Sequence, residues 1–196
     1  MQGFVEVPRN RNNRDENRQI KEGAVPDRIE SNPHVKSQKD LDARRTEKNN
    51  ISYCGYKNHV KQDSGSKLIV SYSVTAANTH DSQAIDSLLT DSDSGESLYA
   101  DSAYTGASCE AAISGVEAVN RVCEKGTRNH PLTDEQKENN RIKSKVRSRV
   151  EHIFGFMENS MNHMFIECIG IKRATGIIGL MNLTYNMFRK IQLMSV

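Results

Sequence analysis

Residues 51–78 hold two strand-like runs, "ISYCGYKNHVKQD" and "KLIVSYSVTAAN", with the polar "SGS" between them. β-Branched and aromatic residues are frequent in both runs, and Gly65 lies in the short connection. The stretch therefore reads as a β-hairpin, and whatever follows must pack on it. The next segments alternate in type. "HDSQAIDSLLTD" places Ala84, Ile85, Leu88 and Leu89 on one helical face, with Thr79 or Asp81 as its N-cap. "ESLYAD" reads as a strand, "ASCEAAIS" as a short helix and "AVNRVCEK" as a further strand.

A long helix is predicted to start near "PLTDEQ", where Thr133 and Gln136 have capping-box spacing. It continues through "KENNRIKSKVRSRVEHIFGFMEN", in which Val146, Val150, Ile153, Phe154 and Met157 form an apolar stripe. "TGIIGLMNLTYNMFRKIQL" is the last helix. Ile177, Met181, Tyr185 and Phe188 lie along one of its faces, and Gly176 and Gly179 permit close packing. The order hairpin, helix, strand, helix, strand, long helix, helix predicts an α/β fold, a mixed sheet flanked by helices.

Residues 1–50 read differently. "GFVEVP" is the end of a strand stopped by Pro8, and "RNRNNRDENRQIKEG" has no hydrophobic period. The chain thus divides into an irregular arm with the remnant of a first strand (1–50) and a regular domain (51–196). The net charge is only +2, yet residues 121–150 carry nine Lys/Arg against four Asp/Glu. Such an excess attracts polyanions, although a solvated helix face is the commoner meaning. The four cysteines form no C-x-x-C pair, which points to reduced thiols in a cytoplasmic protein rather than to disulfides or structural zinc. The polar, Arg-rich start is no signal peptide. "IIGLMNLTYNMF" is too short and too interrupted by Asn to span a bilayer.

In "LYADSAYTG" a short strand stops on Asp101. Glu151 lies at the edge of the apolar stripe of the long helix and can point toward such a strand tip. Two hard carboxylates meeting there suit Mg²⁺ or Mn²⁺. The basic neighbours Lys143, Lys145, Arg147 and Arg149 suit the phosphates of double-stranded DNA. Blander meanings stand beside these. Asp before a turn is commonly a cap. Arg147 and Glu151, at i and i+4, make a surface ion pair worth about 0.3–0.5 kcal/mol.

"GYKNHVK", "VTAANTHDSQ", "LYADSAYTG", "RSRVEHIFGFMENSM" and "GIKRATGIIGLMNLTYNMFR" resemble, in order, successive blocks of bacterial insertion-sequence transposases. The group is the DDE type, IS-five/IS-four-like, and the resemblance runs from about residue 4 to the C-terminus. It implies a ribonuclease-H-like fold in which strand-tip aspartates and a helix glutamate bind two metal ions for DNA strand cleavage and transfer. By that resemblance Asp101 is the second aspartate and Glu151 the glutamate, both metal ligands and catalytic. Arg147 matches the arginine of the group's Tyr-Arg-Glu-Lys signature. Ser144 stands at its tyrosine position, and its lysine position falls near Glu158. His80 and Asp81 match a recurrent "HDS" block that has no assigned role. The first aspartate would fall at about Met1, so the resemblance implies a truncated copy without its upstream DNA-binding region. Such a copy is expected to be inactive or nearly so, with an open sheet edge beside the hairpin. The alternative is a non-catalytic DNA-binding or interaction protein, a homo-oligomer or mixed oligomer that interferes with intact transposase.

Overall fold

The computed structural model describes residues 2–195. In chain order they form β1 (Gln2–Glu6), α1 (Arg14–Lys21), α2 (Asp27–Glu30), α3 (Pro33–Ser37), β2 (Arg44–Lys48), β3 (Ile51–Gln62) and β4 (Ile69–Ala76). There follow α4 (Ile85–Leu88), β5 (Ser97–Leu98), α5 (Ala107–Gly115), β6 (Val119–Asn120), α6 (Asp134–Arg147), α7 (Glu151–Ser160) and α8 (Ile171–Met194).

The hairpin is β3 and β4, antiparallel with Tyr56 opposite Ala76 and Val60 opposite Tyr72. β3 is the hub of the sheet. β1 runs antiparallel to it with Gln2 opposite His59, and β2 pairs with its first residues, Arg44 opposite Gly55. Residues 55–60 are all buried, so layers cover both faces of this strand. Strand alternation assigns those faces. Tyr56, Asn58 and Val60 turn toward α7 and α8. There they join Val5, Val150, Ile153, Met157, Ile178 and Tyr185 in the main core. Lys57 and His59 turn the other way, toward Thr75 and the 3₁₀ turn Asp81–Ala84.

Several expectations need correction. The stretch expected to be irregular holds β1, three short helices and β2. Local hydrogen bonds make up for its lack of apolar period. Asn13 and Glu16 form a reciprocal capping box on α1, and Arg28 Nε lies 2.7 Å from Glu16. The buried Tyr56 hydroxyl donates to both oxygens of Asp40, at 2.8 and 2.7 Å, which pins the segment to the hub strand. β1 occupies a place beside β3, and its end is bridged further by Ile166 N–H donating to Glu6 O.

The single mixed sheet is two sheets. The four-stranded one is antiparallel, and β5 and β6 form a separate two-residue parallel pair. β5 is short because the chain turns into a 3₁₀ helix over Ser102–Tyr104, with Asp101 as its N-cap. The helix expected after the hairpin is a 3₁₀ turn followed by α4, and its N-cap is His80 rather than Thr79 or Asp81. The long helix begins on the Thr133–Gln136 capping box as predicted, but a 3₁₀ turn over Ser148–Val150 separates α6 from α7.

α8 turns a different face inward from the one expected. Ala174, Ile178, Asn182 and Tyr185 are buried, while Ile177 and Phe188 are exposed. Asn182 faces inward because Asn58 meets it, Nδ2 to Oδ1 at 2.8 Å. Gly179 receives the Tyr72 hydroxyl where a Cβ would stand, whereas Gly176 faces open space.

Candidate active site

Three elements deliver the candidate side chains. Asp101 follows β5, Arg147 ends α6, and Glu151 begins α7 one helical turn later. The Arg147 guanidinium lies between the two carboxylates, NH1 3.7 Å from Asp101 Oδ2 and NH2 3.6 Å from Glu151 Oε1. The Arg147 side chain is only 21% exposed, whereas those of Asp101 and Glu151 are 51% and 58% exposed. The arginine is thus set in the protein and the carboxylates open to solvent. Asp101 also serves as a cap, its Oδ1 accepting the Ser102 amide at 2.7 Å. One oxygen fixes the turn and the other faces Arg147.

The four basic residues divide between two sides of the helix. Lys143 donates to Val122 O at 3.0 Å and sits 3.7 Å from Glu124, so it ties α6 to the end of β6. Arg147 serves the carboxylates. Lys145 and Arg149 are exposed on the other side, and Arg149 donates to Ser64 O at 2.6 Å.

Behind Asp101 lies a polar cluster that the sequence reading did not find. Lys57 Nζ is 2.8 Å from Asp81 Oδ1 and donates to Thr79 O at 2.7 Å, with the Lys57 and Asp81 side chains only 9% and 15% exposed. His59 Nε2 pairs with Thr75 Oγ1 at 2.8 Å. Burial holds His59 neutral, its pKa pulled down to about 4 against a partial opposing pull from Asp81. Tyr104 is buried beside them, and burial together with the charges of Asp81 and Asp101 pushes its phenol pKa up. The "HDS" block acquires local roles here. His80 caps the 3₁₀ turn and Asp81 holds Lys57. The signal was present in "GYKNHV", where Lys57 and His59 alternate with Tyr56, Asn58 and Val60. An apolar strand with two polar residues on one face marks that face as polar inside the protein.

The oxygen donors of Asp101 and Glu151 suit a hard divalent cation. Among the described residues, however, no group of three or more His, Cys, Asp or Glu side chains stands where it would hold a metal ion. The position that the resemblance assigns to a first aspartate, near Met1, lies outside the described residues. No described helix is long and apolar enough to cross a membrane, and none of the four cysteines is paired.

Fold and site together define an α/β domain with two acidic side chains gathered on an arginine at the end of a basic helix. The sequence profile of the transposase DDE domain matches residues 24–187, and the chain belongs to that family. It is 30% identical over 137 residues to the transposase for insertion sequence element IS1106 of Neisseria meningitidis serogroup B. That match covers 70% of this chain and 47% of that protein, so the chain spans about half the length of this curated relative. No solved structure matches the chain.

Proposed function

We propose that the chain carries part of the catalytic centre of an insertion-element transposase, which cuts and rejoins DNA strands by metal-dependent phosphodiester chemistry on a ribonuclease-H-like domain. The supporting observation is the placing of Arg147 between Asp101 and Glu151, two carboxylates separated by fifty residues of chain. Asp101 and Glu151 would hold Mg²⁺ or Mn²⁺. A bound ion supplies Lewis acidity toward a phosphodiester oxygen. Arg147 offsets the mutual repulsion of the carboxylates and keeps both aimed at one place. Lys145 and Arg149, exposed on the same helical segment, contact backbone phosphates of double-stranded DNA.

Two ligands give weak binding, so the purified chain should take up Mn²⁺ with a dissociation constant on the order of millimolar. Electron paramagnetic resonance of free Mn²⁺ measures this directly. Asp101→Asn and Glu151→Gln should each weaken uptake severalfold, and uptake unchanged in both variants refutes the assignment.

A second reading, a DNA-binding protein without strand cleavage that interferes with a complete transposase, is favoured by the exposed basic pair Lys145 and Arg149. It expects salt-sensitive binding that falls in Lys145→Ala/Arg149→Ala, with no Mg²⁺-dependent cleavage of the bound duplex. Cleavage would decide for the first reading.

A further inference from the structure

The segment between β1 and β2 and the residues just before α8 enclose a hollow of about 410 Å³ that is separate from the carboxylate site. Four cations stand in its wall. Arg9 and Arg11 come from the stretch after β1, Arg28 from α2, and Lys39 from the stretch before β2. Local bonds draw the two stretches together. Asn10 Nδ2 donates to Asp40 O, and Lys39 Nζ donates to Arg11 O and Asn12 Oδ1, each at 2.7 Å. The cations thus meet from both ends of the segment.

The acids of the same segment are occupied. Glu16 accepts the Asn13 amide and Arg28 Nε and is only 5% exposed. Asp40, equally buried, accepts the Asp42 and Ala43 amides and the Tyr56 hydroxyl. Both carboxylates hold the segment in shape. The donors at the hollow are less fully used. Arg28 gives Glu16 only its Nε, and Arg9 gives one nitrogen to Ser52 O. Lys39 keeps one of its three N–H donors. The Arg11 guanidinium has no partner among the described residues.

Among the described residues the wall therefore sets four positive charges against two negative ones, Asp40 and Glu167. A guanidinium fork grips the oxygens of a carboxylate or a phosphate in pairs, and an ammonium adds a point charge. One fork satisfies a carboxylate. Three forks and an ammonium around one hollow suit a group with more oxygens and more charge. The volume lies in the range of small-molecule sites, with room for successive phosphates.

We propose that the hollow beneath residues 8–40 is a phosphate-binding site in which Arg9, Arg11, Arg28 and Lys39 hold a chain of phosphates. Two sources offer this chemistry, a free polyphosphate such as the tail of a nucleotide and the backbone of a DNA strand. The site stands apart from the carboxylates. A Cβ on Gly3 would meet Phe154, one helical turn on from Glu151, and Arg9 lies six residues further along the chain. Six extended residues span about 20 Å. The hollow needs neither a metal nor phosphodiester chemistry, so this proposal and the proposed function fail separately.

The test is isothermal titration calorimetry of the purified chain with sodium tripolyphosphate, beside fluorescence anisotropy with a labelled DNA duplex of about twenty base pairs. The variants are Arg9→Ala/Arg11→Ala and Arg11→Gln alone. Arg121→Ala/Lys125→Ala removes the same charge from exposed positions elsewhere and is the control. Arg9 and Arg11 are exposed, so neither change opens the core, and far-UV circular dichroism verifies each fold. The expected result is tripolyphosphate binding with a dissociation constant below about 1 mM, weakened about tenfold by the double variant, severalfold by Arg11→Gln and little by the control. The duplex separates the sources. Backbone phosphates as the occupant lower duplex affinity in the same variants, flatten the salt slope by about two in the double variant, and let tripolyphosphate compete with the duplex. A free polyphosphate as the occupant leaves duplex binding as it was. A wild-type chain that takes up no tripolyphosphate at about 10 mM overturns the proposal. So does uptake that the double variant and the control weaken equally, since the contact is then general charge and not this hollow.

Discussion

His59 shows how much one buried side chain can decide. It is fully buried, and its pKa is lowered to about 4 by that burial. The unfolded chain takes up a proton near pH 6.5 that the folded chain refuses until about pH 4. Stability from this residue is therefore complete above pH 6.5 and is lost progressively as pH falls between those values. Urea unfolding should show the protein about 2 kcal/mol less stable at pH 5 than at pH 7 on this account, and His59→Gln should flatten that slope. Asp81 is the second test at this scale. Asp81→Asn leaves the Lys57 ammonium buried with the Thr79 carbonyl and the Phe4 ring but without a carboxylate, and should cost about 3 kcal/mol in the same assay. Lys57→Met/Asp81→Leu, which removes both charges, should recover most of that loss. Arg147 differs because its two partners are half in water, so its removal should matter more to cation uptake than to stability.

Among the elements, β3 carries the heaviest demands. It has partners along its whole length and covered faces in its middle. Gly55 is the point where this leaves no room. Its φ of +147° lies in the region that favours glycine, and a Cβ there would run into the carbonyl oxygen of Val5 on the neighbouring strand. Backbone cannot swing aside as a side chain can, so Gly55→Ala should destabilise the chain by about 2 kcal/mol or more, read from the urea midpoint. Gly179→Ala should be milder, because the atom in the way is the hydroxyl end of Tyr72, which can rotate outward. α6 and α7 illustrate a different constraint. The short 3₁₀ turn between them shifts Glu151 into the first turn of a new helix, and Arg147 still reaches it from the last turn of the old one.

At the scale of the whole molecule, the described residues gather into two apolar cores of unequal size. The larger joins the antiparallel sheet to α7 and α8, and the smaller gathers Ile85, Tyr104, Cys109, Ile113 and Val122 around α5. A cavity of about 540 Å³ opens between them, with Val60, Leu88, Tyr104 and Val150 among its walls and Arg147 at its edge. Lys61 spans from the sheet to Asp93 at 2.6 Å. A small core held beside a cavity opens more readily than a large one. Hydrogen exchange followed by mass spectrometry should find the amides of α5 and β6 exchanging well before those of β3. Equal protection in both would show that the two cores unfold as one.

Much of this was written in local sequence. The hairpin follows from two β-rich runs around Gly65, and the start of α6 from the Thr133–Gln136 box, because both depend on neighbours within a few residues. The approach of Arg147 to Glu151, four residues on, is also local, and it survives the 3₁₀ turn between their helices. Other features had no local signal. α1 is polar and is held by its caps and by Arg28, and the segment around it is anchored by Asp40 under Tyr56, a contact sixteen residues apart. In α8 apolar residues stand on nearly every side, so period alone could not rank the faces. The partner Asn58, 124 residues away in sequence, decides that Asn182 goes inside. The sequence by itself determined the hairpin, the start of α6 and which chemical groups the elements carry. Only the tertiary structure decided which faces meet, because burial is settled by the partner across the interface and not by the helix or strand that presents it.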